Sequence, residues 1–238
     1  MNVLIFGATG MVGQGVLREC LLDAGVESVV SVGRSGTGGL SATGGRSASG
    51  VSNLKLREII HADLADYSTI ESQLTGFNAC FFCLGISSAG LTEEEYSRIT
   101  YDITLRAAET LARLNTGMTF VYVSGAGTDS TEHGRTMWAR VKGRTENALL
   151  RLPFKAAFMF RPGIIVPRFG ARSKTTSYRV LYTLTRPVLP LLRRAFPNQV
   201  LTTDEIGRAM LIVARYGAPK PVLETSDIRL LLTRNATG

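Results

Sequence analysis

A cluster of glycines follows the first apolar run of the chain, Asn2 to Phe6. It reads Gly7, Ala8, Thr9, Gly10, Met11, Val12 and Gly13, and an amphipathic stretch follows directly. Glycines allow a tight turn and a close approach of the backbone to a ligand, and the N–H groups that open a helix attract anions. Strand, glycine turn and helix in this order predict a cradle for the pyrophosphate of a dinucleotide, although the same glycines also suit a turn without a ligand.

The residue that ends the second predicted strand decides which dinucleotide fits. An acidic side chain about twenty residues after the glycine turn would accept from a ribose 2′-hydroxyl and select NAD. Gly33 and Arg34 stand there instead. A guanidinium binds a 2′-phosphate, and Arg46 in the following loop could assist, so we expect NADP(H). The alternative is an exposed loop arginine with no ligand.

Two further strand ends carry candidate cofactor contacts. Asp63 and Leu64 follow the third predicted strand, where Asp63 is placed to accept from an adenine amino group. An N-cap role for Asp63 or Asp66 fits the sequence equally well. Leu84 and Gly85 follow the fourth strand, where a glycine lets the backbone approach the cofactor or simply makes a turn.

These side chains need parallel strands that end at one edge of a sheet. Short β-branched runs alternate with amphipathic stretches, which predicts an α/β fold, a Rossmann-type doubly wound parallel sheet with a small C-terminal helical segment. Strands are expected near 2–6, 28–33, 54–60, 78–84, 118–124 and 156–161, and helices at 11–24, 67–75, 93–116, 136–151 and 204–216. Thr92 and Glu95 are spaced as a capping box. One NAD(P)-binding domain spanning 1–238 is the expected organisation.

Two segments interrupt the alternation. Residues 33–52 are rich in glycine and serine, which indicates a surface loop; we favour a tolerated insertion over a flap that closes on the cofactor. Residues 168–200 mix cations and prolines with leucines. They are interpreted as a substrate-side lid, with an amphipathic helix on an anionic membrane surface as the competing interpretation.

Composition narrows the class of protein. At 45% apolar and 19% charged residues, the 238-residue chain is typical of a globular protein. It has no apolar run of about 18 residues and no secretory signal pattern. Because both are absent, a cytoplasmic location is expected. Three cysteines without disulfide spacing fit a reducing compartment. No metal site is expected, and Cys80 and Cys83, three apart in an apolar run, point to opposite faces rather than forming a redox pair.

The net charge of +8 is concentrated in one region. Residues 135–194 contain fourteen Lys or Arg and one acid, Glu146. Such a region suits nucleic acid, an anionic membrane or a polyanionic cofactor. Without a nucleic-acid-binding motif we favour a solvated basic face that serves the cofactor.

The chain resembles a known family over nearly its whole length. It is similar to the atypical short-chain dehydrogenase/reductases of the NAD(P)-binding, NmrA-like type, nearest the Tat-interacting oxidoreductase-like branch. The matching blocks are Gly7 to Gly13, Gly33-Arg34, His61-Ala62-Asp63-Leu64, Cys83-Leu84-Gly85, Val121-Tyr122-Val123-Ser124, Val141-Lys142-Gly143 with Glu146, and Phe160-Arg161-Pro162-Gly163. The first and last blocks are the most specific, and Pro162 and Gly163 thereby join the candidate cofactor contacts.

The resemblance also implies a catalytic set. In the superfamily a serine after the fifth strand holds the substrate carbonyl, and a tyrosine four residues before a lysine exchanges the proton. Ser124 and Lys142 match, and Lys142 is implied to hold the nicotinamide ribose. Trp138 occupies the tyrosine position. Indole is no general acid, and Trp138 is better interpreted as a pocket wall.

Two functions are left open by the sequence. The first is an NADP(H)-dependent oxidoreductase that transfers hydride to a small to medium apolar substrate, and the intact cofactor half supports it. The second is a catalytically silent NADP(H) sensor, which Trp138 at the proton-donor position supports. A weaker hypothesis gives the basic region to nucleic acid or anionic lipid. Substrate identity, protein partner and oligomeric state are not encoded in any motif.

Overall fold

The computed structural model describes residues 1–38, 54–171 and 199–234. In these ranges seven parallel strands form one sheet in the order β3-β2-β1-β4-β5-β6-β9. They are β1 (Asn2–Phe6), β2 (Ser28–Gly33), β3 (Leu56–Ile60), β4 (Ala79–Phe82), β5 (Thr119–Val123), β6 (Ala156–Arg161) and β9 (Val222–Glu224). Strands β7 (Ile164–Val166) and β8 (Val200–Thr202) form a separate parallel pair. The predicted doubly wound parallel sheet is confirmed.

Helices cover both faces of the sheet. The described ranges contain α1 (Met11–Leu22), α2 (Glu93–Ser97), α3 (Ile103–Leu114), α4 (Met137–Leu150), α5 (Thr203–Tyr216) and α6 (Thr225–Arg234). Thr92 and Glu95 form the predicted capping box of α2. Strand β9 and helix α6 complete the C-terminal end and were not predicted.

Two predicted helices differ from the observed elements. The expected helix at 67–75 is a 3₁₀ helix, Ser68–Gln73, and the Ser68 backbone N–H donates to Asp66 Oδ1 at 2.9 Å. The expected helix at 93–116 is interrupted by a π turn, Arg98–Asp102. The apolar period of 3.6 residues continues on both sides of such a turn, so the sequence pattern does not reveal it.

The strands separate two apolar cores because successive side chains point to opposite faces. Ile5 and Phe81 pack against α1, α5 and α6 on one face. Phe6 and Phe82 pack against the 3₁₀ helix, α3 and α4 on the other. Cys80 lies in this second core and Cys83 packs against the first.

Helices α1 and α5 pack unusually closely through small residues. A Cβ placed on Gly15 would lie 2.5 Å from the Thr203 Cβ. A Cβ on Gly207 would lie 2.9 Å from the Glu19 Cγ. Helix α5 begins at a capping box formed by Thr202 and Glu205, which fixes the position of Thr203 against Gly15 of α1.

The two segments that interrupt the predicted alternation lie mostly outside the described residues. Residues 39–53, including Arg46, hold most of the glycine- and serine-rich segment, and residues 172–198 hold most of the predicted lid. The described chain resumes at 199, just before β8.

Candidate cofactor-binding and active site

The glycine turn is built so closely that two of its positions admit no side chain. Gly7 has a φ of 79°, and a Cβ there would lie 2.6 Å from the Leu84 backbone nitrogen. A Cβ on Gly13 would lie 2.1 Å from the Gly7 carbonyl oxygen. The turn therefore holds β1, α1 and the end of β4 together, as a close backbone approach to a ligand requires.

The N-terminus of α1 is open toward the same edge. Gly10 is its N-cap and offers no side chain, and the first turn contains no acidic residue. Thr9 turns its carbonyl oxygen toward the Gln14 side chain, whose Nε2 donates at 3.0 Å. Met11 and Val12 are half-buried beneath the turn. Uncapped N–H groups and the partial positive charge of the helix fit a pyrophosphate.

Arg34 stands at the end of β2, next to the glycine turn on the central strand. Its side chain is exposed, and no described residue pairs with it. The loop behind it is anchored, because the Thr37 backbone N–H donates to Glu58 Oε1 at 2.6 Å. An unpaired guanidinium on an anchored loop is suited to bind an anion.

The strand ends beside Arg34 hold the other candidate contacts. Asp63 is exposed, and its Oδ1 accepts from the Ala65 N–H at 2.9 Å. Asp66 rather than Asp63 accepts from the backbone where the 3₁₀ helix starts. Leu64 is buried, and Gly85 is exposed with open space around its Cβ position. These roles in cofactor binding stay predictions.

Ser124 directs its hydroxyl into the protein. Its Oγ lies 2.5 Å from Glu146 Oε1 and 3.0 Å from the Phe160 carbonyl oxygen, and the residue is 5% exposed. A hydroxyl has one proton to donate, and in this arrangement Ser124 donates it to a buried acceptor and not to a group in the candidate site. The role of Ser124 toward a substrate stays a prediction.

A buried charge network behind Ser124 was missed by the sequence reasoning. Glu146 is fully buried, and Arg161 Nε donates to its two oxygens at 3.0 and 3.2 Å. Arg161 Nη2 also contacts Ser130 Oγ at 2.5 Å, and Nη1 contacts Glu224 Oε1 at 3.2 Å. The signal was present, since both residues stand in blocks that carry the family resemblance.

Lys142 lies on α4 between this network and the open edge. Its half-buried ammonium donates to the Ser124 carbonyl oxygen. Burial lowers the pKa of Lys142 to about 8, and the Glu146 carboxylate opposes part of that shift. The structure therefore brings Ser124 and Lys142 together, as the resemblance implied.

Trp138 covers the loop that follows β5. A Cβ on Gly127, which has a φ of 83°, would lie 3.3 Å from Trp138 Cη2. The loop is pressed onto α4, where a Cβ on Gly143 would lie 1.7 Å from the Asp129 carbonyl oxygen. The half-buried indole thus forms a wall beside Lys142.

Pro162 and Gly163 close the site from β6. The Pro162 carbonyl oxygen accepts from the Ala126 N–H at 2.9 Å. The Gly163 N–H donates to Thr225 Oγ1 at 2.8 Å. Both groups hold neighbouring segments in place, and a direct contact with the cofactor stays a prediction.

The fold and this site define an NAD(P)-binding Rossmann protein of the short-chain dehydrogenase/reductase type. Residues 3–136 match the NAD dependent epimerase/dehydratase family, and the chain belongs to that family.

Similar proteins include relatives of low identity. Protein fmp52, mitochondrial, of Emericella nidulans is 27% identical over 167 residues, covering 69% of this chain and 66% of that protein. Protein HTATIP2 of Rattus norvegicus is 26% identical over 165 residues, covering 69% and 63%. The aligned part thus spans just under two thirds of each of these relatives.

Solved structures share the fold. A double mutant of DesIV, a dTDP-glucose 4,6-dehydratase from Streptomyces venezuelae with NAD and DAU bound, has a TM-score of 0.68 at 15% identity, and the match covers 99% of this chain and 81% of that chain. Bordetella bronchiseptica WbmF in complex with NAD+ has a TM-score of 0.62 at 15% identity and covers 98% and 76%. At these identities the likeness shows the fold that the strand order and helices define.

The predicted cytoplasmic location is wrong. Relatives from Emericella nidulans, Scheffersomyces stipitis and Debaryomyces hansenii are named mitochondrial. The prediction rested on the absence of a secretory signal pattern, which does not distinguish the cytoplasm from a mitochondrial location. In the described residues no helix is long and apolar enough to cross a membrane.

Proposed function

We propose that this protein is an NADP(H)-dependent oxidoreductase that transfers hydride to a small to medium apolar substrate. The observation that carries the NADP(H) preference is Arg34, exposed and unpaired among the described residues at the end of β2. The strand end has no carboxylate that would accept from a ribose 2′-hydroxyl. A charge-assisted bond from Arg34 favours a 2′-phosphate.

The site residues divide the work of binding. The glycine turn and the α1 N-terminus hold the pyrophosphate, and Lys142 holds the nicotinamide ribose. The bound nicotinamide supplies the hydride. Trp138 shields the reacting centre from water. Two exposed apolar side chains, Ile86 after β4 and Ile164 at the start of β7, support an apolar substrate.

Calorimetric titration of NADPH and NADH tests the cofactor preference without a substrate. Wild-type protein is expected to bind NADPH more tightly. Arg34→Ala should weaken NADPH binding about 10- to 100-fold, the range of one hydrogen bond to a charged group, and leave NADH binding nearly unchanged. Arg151→Ala is the matched control, because this exposed arginine follows α4 at the opposite edge of the sheet. Equal affinity for both nucleotides would refute the preference.

Turnover is tested by following NADPH absorbance with a panel of quinones, aldehydes, ketones and flavins. Oxidation of NADPH with at least one acceptor is expected. If NADPH binds but no acceptor oxidises it, the oxidoreductase proposal fails. The alternative would then be the catalytically silent NADP(H) sensor, which the family assignment does not favour.

A further inference from the structure

The proton that completes a hydride transfer needs a donor, and the usual position lacks one. Trp138, four residues before Lys142, carries an indole N–H that is too weak an acid. Its ring is fixed over Gly127. The proton therefore comes from another group beside the pocket or from water.

In the ranges that the structure describes, the tyrosine and serine hydroxyls near α4 are engaged, enclosed or on another side of the helix. Tyr96 and Tyr122 are 2% and 1% exposed, and burial raises the pKa of Tyr122 far above its usual value. The Tyr101 ring lies under the Arg144 guanidinium, with 4.2 Å between its centroid and Cζ. Arg144 stands two residues after Lys142 and therefore faces another side of α4. The Ser124 hydroxyl is directed to Glu146.

Lys142 differs from these residues because the carboxylate nearest to it along α4, that of Glu146, is already paired with another cation. Glu146 lies one helical turn after Lys142, a spacing that normally favours an ion pair. Arg161, reaching from β6, occupies both carboxylate oxygens instead. The loop after β5 presents only the Ser124 carbonyl oxygen to the ammonium. Glu146 is thus the charged group that acts on Lys142 in the described chain, and it does so without a direct contact.

We propose that the Lys142 ammonium donates the proton to the substrate, in place of the missing phenol. This rests on the proposed function. As the substrate carbonyl carbon gains a hydride, its oxygen takes a proton from Nζ, so that an O–H bond forms and an N–H bond breaks. A neutral amine remains, and water returns the proton. One N–H stays on the Ser124 carbonyl, and two remain for the ribose and the substrate.

The lowered pKa of Lys142, about 8, supports this role because it makes the ammonium a better acid near neutral pH. The rate should be full below that pH and fall as the ammonium loses its proton above it. If a phenol or water donated the proton, the rate would not fall near pH 8.

The first test is a direct titration by NMR of protein labelled with ¹³C at the lysine ε carbons. The resonance that disappears in Lys142→Arg belongs to Lys142, and Lys155, exposed in the loop before β6, is the reference. A midpoint near pH 8 for Lys142 is expected. A midpoint equal to that of Lys155 would overturn the proposal.

The second test is single-turnover reduction of para-nitrobenzaldehyde and phenanthrenequinone by bound NADPH. Lys142→Arg keeps the cation but cannot release a proton, so a loss of about 100-fold in rate is expected, with NADPH affinity kept. Lys155→Arg should match wild type. A Lys142→Arg rate equal to wild type would overturn the proposal alone, whereas bound NADPH that reduces neither compound would overturn it together with the proposed function.

Discussion

The guanidinium of Arg161 contacts both carboxylate oxygens of Glu146, one helical turn beyond Lys142. The pair ties strand β6 to helix α4 at the point where the catalytic candidates meet. It also fixes Ser124, whose hydroxyl donates to the same carboxylate. One buried pair therefore sets both the orientation of the serine and the isolation of the lysine.

Breaking this pair should destabilise the protein strongly. Arg161→Met leaves the Glu146 carboxylate buried without its cation, and a loss of about 3 to 5 kcal/mol in the free energy of unfolding is expected. Chemical denaturation measures it. Arg113→Met, which removes an exposed pair with Glu71, should cost less than about 1 kcal/mol. Equal losses in the two variants would contradict the network.

Removing the second charge should recover part of that loss. The double variant Arg161→Met with Glu146→Leu takes both charges from the interior, so it should be more stable than Arg161→Met alone. A double variant that is still less stable would mean that packing, not the unpaired charge, dominates.

The stability of the protein should depend on pH through Lys142. The folded protein releases this proton near pH 8, whereas the unfolded chain holds it to about pH 10.4. Between these values the unfolded state binds more protons, so rising pH stabilises wild type relative to Lys142→Met. The expected change in their difference is on the order of 2 kcal/mol, measured by urea denaturation at both ends of the range. Lys155→Met should show no such trend.

Gly13→Ala should disrupt the glycine turn. The added methyl would overlap the Gly7 carbonyl, so a loss of about 1 to 3 kcal/mol and weaker NADPH binding are expected. Gly117→Ala is the control, because nothing lies within 4 Å of its Cβ position. Thermal unfolding and calorimetry compare the two. Unaltered NADPH binding in Gly13→Ala would contradict the close approach.

Trp138→Tyr should restore a phenol beside Lys142. A gain of at least about 10-fold in carbonyl reduction is expected, since a positioned acid contributes that much or more. Trp138→Phe supplies the ring without the hydroxyl and should show no gain. A similar rate in both variants would show that ring size, not acidity, governs the site.

The three cysteines should be unreactive in the folded protein. Cys20 and Cys80 are fully buried, and burial raises the pKa of Cys83 to about 12. A thiol-reactive dye should therefore label none of them until urea unfolds the chain. Rapid labelling of Cys83 in buffer would contradict its position against the core.

The sheet was predictable because its signals are local. A glycine turn after an apolar strand specifies strand, turn and helix together, and the Thr92 capping box marks where α2 begins. The π turn at Arg98–Asp102 was not predictable, because a single five-residue turn is too short to be distinguished from the helical pattern on either side of it.

The site was predictable in position but not in contacts. Parallel strands place Ser124 and Arg34 at one edge, yet no sequence rule tells that the Ser124 hydroxyl faces inward. That orientation depends on Glu146 and Arg161, which meet only when α4 packs on β6. Pairing across elements is a property of the folded chain, and motif spacing does not encode it.

Helix α1, which follows the glycine turn, packs against α5, which is synthesised much later. The ion pair between Asp23 and Arg215 at the far ends of α1 and α5 joins residues 192 positions apart. During translation the glycine turn leaves the ribosome long before α5 does. The contact between Asp23 and Arg215, which are far apart in sequence, must therefore form late. A nascent chain stalled before α5 should therefore expose the apolar side of α1, and nucleotide affinity should emerge only after α5 has been translated.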